Sequence, residues 1–115
     1  MSLLTLYGIK NCDTVRKARA WLDEQGVAYA FHDFKAQGVE RARLAAWCNA
    51  LSWEKVLNRA GTTFRGLDEG KKHDLTEDKA IALMLQAPSL IKRPVLEGAG
   101  VLKLGFKTGD YDDLR

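Results

Sequence analysis

Cys12 is the residue of this chain best placed to do covalent chemistry. It stands in the run Leu3-Leu4-Thr5-Leu6-Tyr7-Gly8-Ile9-Lys10-Asn11-Cys12-Asp13-Thr14-Val15-Arg16-Lys17-Ala18. A short apolar stretch runs into a Gly turn, and the cysteine falls where a helix begins. A helix N-terminus offers unpaired N–H donors and about half a positive charge, worth ~0.3–2 kcal/mol to an anion there. Both favour thiolate over thiol, and the thiolate is the nucleophile. Lys10, Arg16 and Lys17 lie close in sequence and push the same way. The competing reading is a small buried cysteine that only packs. The Gly turn and the cationic flanks fit an open mouth better than a core. Cys48 has the opposite setting, on an apolar helical face with Leu44 and Leu51, and reads as core; a distant resolving thiol is its alternative role. His32 and His73 lack zinc-like spacing with a cysteine, so no metal site is expected. Trp21, Trp47 and Trp53 sit at helical spacing among apolar residues and read as packing.

The elements that must position Cys12 follow from hydrophobic periodicity. Leu3–Tyr7 reads as a first strand. Asp13 to Gln25 reads as a helix, with Val15, Ala18, Trp21 and Leu22 on one face and Gly26 as its stop. Val27–Phe34 is rich in β-formers and reads as a second strand. Strand, helix and strand make a βαβ unit, which implies parallel strands and a right-handed crossover. From Glu40 to Asn58 the pattern is helical, with a break near Ser52. Residues 60–63 and Gly70 mark a loop or short turns. Thr76, followed by Glu77 and Asp78, opens another helix that packs through Ile81, Met84 and Leu85 and ends before Pro88. Pro94–Glu97, Gly98-Ala99-Gly100 and Val101–Leu104 read as a β-hairpin, and Thr108–Leu114 as a last short helix.

The whole chain narrows the classes. A length of 115 residues indicates one domain, 1–115, able to bury a real core. No apolar run approaches the ~18 residues of a membrane span, and the start lacks the pattern of a secretory signal, so no membrane association is expected. Two cysteines make no disulfide framework, and a reducing cytoplasm is the expected location. The formal net charge is +3; residues 1–20 carry Lys10, Arg16, Lys17 and Arg19 against Asp13, which suits a small anionic substrate at the Cys12 end. There is no basic stripe with interleaved aromatics, so no nucleic acid is expected as a partner.

The run Tyr7-Gly8-Ile9-Lys10-Asn11-Cys12 followed by Arg16-Lys17-Ala18, with Leu90-Ile91-Lys92-Arg93-Pro94 downstream, resembles the arsenate reductase (ArsC)/Spx family. Together with the segment from Trp53 to Leu67, it is most similar to the YffB-like branch, over essentially the full chain. The resemblance implies a thioredoxin-like α/β fold: βαβ plus β-hairpin, a four-stranded mixed sheet, with a helical insertion at about 38–87 between core segments 1–35 and 88–115. It also implies thiol chemistry at Cys12 and a cis Arg93–Pro94 bond facing it.

Departures from the family pattern bear on the activity. Arsenate reductases of the family carry Cys-x-x-Ser-Arg; here Val15 replaces the serine and Arg16 keeps the arginine. They hold the oxyanion with three arginines, of which Arg93 is matched, the first reads as Asn58 beside Arg59, and the last falls near Phe106-Lys107. Spx-type regulators carry Cys-x-x-Cys, a pairing that Val15 cannot make. What the YffB-like branch then implies is a glutathione-dependent thiol/disulfide reductase with no bound cofactor. In it Cys12 is the nucleophile, and Lys10, Asn11, Arg16, Arg93 and Pro94 contact glutathione or substrate. For Arg16 a pairing with Asp13 along the helix is equally open. Two further roles fit the family: arsenate reduction with a glutaredoxin as partner, and a non-enzymatic partner-binding regulator, as in the Spx branch that contacts RNA polymerase.

Overall fold

A computed structural model describes residues 4–114, so the Leu3 end of the expected first strand lies outside the described residues. The chain forms two compact units, Met1–Gln37 with Arg93–Arg115, and Gly38–Lys92.

The first unit contains β1 (Thr5–Gly8), α1 (Asp13–Glu24), β2 (Ala30–Asp33), α2 (Phe34–Gln37), β3 (Val95–Gly98) and β4 (Val101–Leu104). The four strands form one mixed sheet in the order β2-β1-β3-β4. β1 pairs parallel with β2, Leu6 opposite Phe31, as the βαβ reading requires. It pairs antiparallel with β3, Leu6 opposite Leu96, and β3 pairs antiparallel with β4. The central strand is the most buried, with Leu6, Tyr7 and Gly8 all inside. α1 buries Val15, Ala18 and Leu22. These pack with Leu6, Leu96 and Tyr111 into one core, against which Trp21 is only half-buried. Full burial of an aliphatic side chain of this size stabilises by ~1.5–3 kcal/mol, so this stripe fixes α1 on the sheet.

α1 ends where expected, by a Schellman motif. Gly26 takes φ +69°, its N–H donates to the Asp23 carbonyl (3.2 Å), and the Val27 N–H donates to the Leu22 carbonyl (3.0 Å). That capping bond uses the Val27 N–H, and the ladder starts only at Ala30, whose N–H donates to the Leu4 carbonyl (2.9 Å). The expected strand Val27–Phe34 therefore shortens to β2. At its far end the Asp33 carboxylate accepts the Lys35 N–H (3.0 Å), which turns the chain into α2, and Phe34 is buried from that short helix instead. The hairpin turns through Ala99 and Gly100, both at positive φ (49° and 78°), the requirement of a two-residue turn that follows sheet twist. The expected helix at Thr108–Leu114 is a correction: only Asp112–Leu114 forms a short 3₁₀ turn. Gly109 at φ +93° and a tight turn, in which the Lys107 N–H donates to the Asp110 carboxylate (2.8 Å), prevent a helix there.

The second unit is helical: α3 (Arg41–Leu51), α4 (Trp53–Val56), α5 (Thr62–Arg65), α6 (Glu69–Lys72) and α7 (Glu77–Gln86), then a 3₁₀ turn at Pro88–Leu90. The break at Ser52 is real: its φ is +85°, and its hydroxyl accepts the Glu54 N–H (3.3 Å) to start α4. The Thr76 hydroxyl caps α7 by accepting the Lys79 N–H (3.3 Å). α3 buries Leu44, Trp47 and Cys48, while α7 buries Ala80, Ile81 and Met84; Leu85, expected inside, is half-exposed. Residues 88–92 stay with this unit, beyond the expected limit at 87. The Asn58 N–H donates to the Leu90 carbonyl (2.7 Å) and the Lys92 N–H to the Val56 carbonyl (2.8 Å), which ties them to α4. No helix among the described residues is long and apolar enough to cross a membrane.

Candidate active site

Cys12 is the N-cap of α1. Its backbone is extended (φ −114°, ψ 122°), and its carbonyl accepts the first intrahelical bond, from the Arg16 N–H (2.9 Å). This leaves the sulfur at the end of the helix where N–H groups are unpaired. The residue is part-buried. The side chain makes no capping hydrogen bond of ordinary geometry. The anion is nevertheless favoured, and the Cys12 pKa lies below that of an ordinary thiol. Partial burial is the largest single influence and acts upward; the Val15 N–H, a hydrogen bond from Arg93, the Arg93 charge and the Thr14 N–H together outweigh it.

The five other expected residues fall into three groups. Arg93 acts directly on Cys12 through both contact and charge. It precedes Pro94 across a cis peptide bond, the geometry that the resemblance implied. Pro94 is buried, has no N–H, and its carbonyl accepts the Gly105 N–H (2.8 Å). Lys10 and Asn11 are exposed in the turn that leads into Cys12. Arg16 is turned to Asp13, forming an ion pair one helical turn long in which both side chains are mostly exposed. The helix therefore directs this arginine along its own surface.

Other residues weighed in the sequence lie elsewhere. Cys48 is 2% exposed, and burial, aided by the Glu77 charge, pushes its thiol up to about 11. It is core. Arg59 stays within the helical unit, facing Glu54 (3.7 Å) and the Trp53 ring (5.8 Å). Phe106 packs edge-on against Tyr111 (4.7 Å) and Lys107 is exposed. His32 packs on the Tyr7 ring (4.9 Å), and His73 faces the Glu69 carboxylate (3.3 Å). No cluster of three or more metal-ligating side chains occurs among the described residues. Sequence reasoning missed the individual role of the Val15 amide, because a backbone donor has no side-chain signature.

A four-stranded mixed sheet with a cysteine at the start of the helix that follows β1 defines a thioredoxin-like domain. The chain belongs to the ArsC family, whose model matches residues 7–114. An uncharacterised protein of Haemophilus influenzae is 36% identical over 109 residues, 95% of this chain and 96% of that one. Among solved structures, a YffB protein is 60% identical with a TM-score of 0.92, over 96% of each chain. The solution structure of an arsenate reductase (ArsC) related protein from Brucella melitensis is 49% identical with a TM-score of 0.78, over 98% of this chain and 93% of that one.

Proposed function

We propose that the protein is a glutathione-dependent thiol/disulfide reductase that works through Cys12 alone. One observation carries this reading: a part-exposed sulfur whose anion is favoured by the Val15 and Thr14 amides and by Arg93. The Cys12 thiolate attacks the glutathione sulfur of a mixed disulfide between glutathione and a substrate thiol. The substrate S–S bond breaks as the Cys12–glutathione bond forms, and the substrate sulfur leaves as a thiolate that takes a proton from water. A second glutathione thiolate then attacks the glutathione sulfur of the adduct. Oxidised glutathione departs and the Cys12 thiolate returns.

The resolving thiol comes from outside. The residue three positions after Cys12 is Val15, which is fully buried, and Cys48 is held protonated in a core. Glutathione carries two carboxylates, which suit guanidinium partners. Arg93 meets one beside the sulfur. Arg16 meets the other by exchanging Asp13, since an exposed ion pair is worth only ~0.2–1 kcal/mol. In this reading Lys10, Asn11 and Pro94 complete the contacts with glutathione. Dependence on glutathione sets this work in a reducing compartment. Because the Brucella relative is described as arsenate reductase related, arsenate, with a glutaredoxin as reductant, is the second substrate to test. Among the described residues only the Arg93 guanidinium acts on the sulfur, which favours the disulfide over an oxyanion.

The test is intact mass after oxidised glutathione. A single adduct, absent from Cys12→Ser and kept in Cys48→Ser, supports the reading. An inert Cys12, or an adduct on Cys48, removes it. Arsenate-dependent thiol consumption without disulfide turnover would move the assignment to the second substrate.

A further inference from the structure

Gly8 closes β1 immediately before the turn that carries Cys12. Its φ is not in the left-handed region, so chain direction does not call for glycine here. Space does. A Cβ placed on Gly8 would lie 2.7 Å from Val15 Cγ2, 3.1 Å from Cγ1 and 3.5 Å from Cβ. The obstacle is not a flexible tip. Val15 is β-branched, has one strongly preferred rotamer in a helix, and is fully buried in the core with Leu6, Ala18 and Leu22. An added methyl on Gly8 would be accommodated by lifting the first turn of α1 from β1.

That turn carries the donors that face the sulfur. Val15 belongs to it twice: its side chain is the contact with Gly8, and its N–H acts on Cys12. We propose that Gly8 is a positioning residue, whose missing side chain seats Val15 against β1 and thereby holds the Val15 N–H at Cys12 Sγ. The inference deepens the proposed thiol chemistry and rests on it. It makes the strand-to-helix packing, not only the loop between them, a determinant of how reactive the thiol is.

The test is the pH dependence of alkylation by iodoacetamide, which reads the thiolate, measured beside thermal unfolding. Gly8→Ala is expected to slow Cys12 alkylation at neutral pH ~3–10-fold, the loss of a helix-end donor, while the limiting rate at high pH is retained. Gly8→Ala/Val15→Ala restores the space and keeps the amide. It is expected to recover most of the rate towards that of Val15→Ala alone, even though the core loses methyl groups. Should Gly8→Ala fail to fold, a folded double variant with fast alkylation supports the inference equally. A double variant that stays slow, or Gly8→Ala with an unchanged pH profile, overturns it. An ordinary, unactivated Cys12 in the unaltered protein would instead overturn the reductase reading itself, and this inference with it.

Discussion

Replacing Arg93 by Gln is the sharpest probe of the site, because it removes the one side-chain charge among the described residues that lowers the Cys12 pKa, while keeping most of the side-chain volume. Arg93 favours the thiolate twice, by a hydrogen bond and by its charge. A hydrogen bond to a charged group is worth ~1.5–3 kcal/mol where water is excluded, but an exposed ion pair only ~0.2–1 kcal/mol. Cys12 and Arg93 are both part-exposed, so the loss falls between these limits, at about 1–1.5 kcal/mol. At 1.36 kcal/mol per tenfold, the thiolate population below the native pKa drops ~5–12-fold. The sign follows from the ionisation: the variant is slower at low and neutral pH and converges on the unaltered protein once both thiols are ionised. Alkylation rates from pH 5 to 10 in low salt measure this directly. Arg93→Lys should retain the charge but lose the fixed geometry of the guanidinium, and so fall between the two. The difference should shrink as salt is raised. Parallel curves separated at every pH would mean that Arg93 governs access and not ionisation. An unchanged profile would refute its assigned role.

Two substitutions test the frame that holds the site. Gly26→Ala puts a Cβ at φ +69° in open space, so its cost is conformational, not steric: unfolding in urea should show a loss of about 1 kcal/mol with an unchanged m-value. Ala99→Asn should have the opposite effect, since Ala99 holds φ +49° and Gly100 follows at +78°; a gain of ~0.5–1 kcal/mol is expected by the same assay, and a loss would contradict the turn assignment.

Much of this fold is legible in the sequence because the relevant signals are local. Val15, Ala18 and Leu22 announce one face of α1, Gly26 ends it, Thr76 caps α7, and Gly-Ala-Gly marks the hairpin. The misread segments are those where a side chain overrides propensity. Asp33 turns β-forming sequence into α2, and Gly109 with Asp110 prevents a terminal helix. The site divides the same way. Cys12 is visible because a strand, a glycine and a helix start lie together in ten residues. Adjacency then misleads about the cations. Arg16 is near in sequence yet turned to Asp13, whereas Arg93, distant in sequence, acts on the sulfur. The Gly8–Val15 approach has no linear signature, since it is set by how closely α1 lies on β1.

In the proposed disulfide exchange, the groups that favour the Cys12 anion would act on both halves of the reaction. With the native pKa below the unfolded value, the thiolate contributes stability fully present above the ordinary thiol range and lost as pH falls through the native pKa. A mixed disulfide at Cys12 has no such charge, so the Val15 and Thr14 amides and Arg93 stabilise the reduced protein over the adduct. Attack is helped by a larger thiolate fraction, and release by a sulfur that departs as a stabilised anion. Under the proposed function an outside thiol completes each cycle, because Val15 is buried where a second thiol would otherwise resolve the adduct, and that second property then matters most. The helix start and Arg93 therefore fit a cysteine that is loaded and unloaded repeatedly better than one that stores a disulfide.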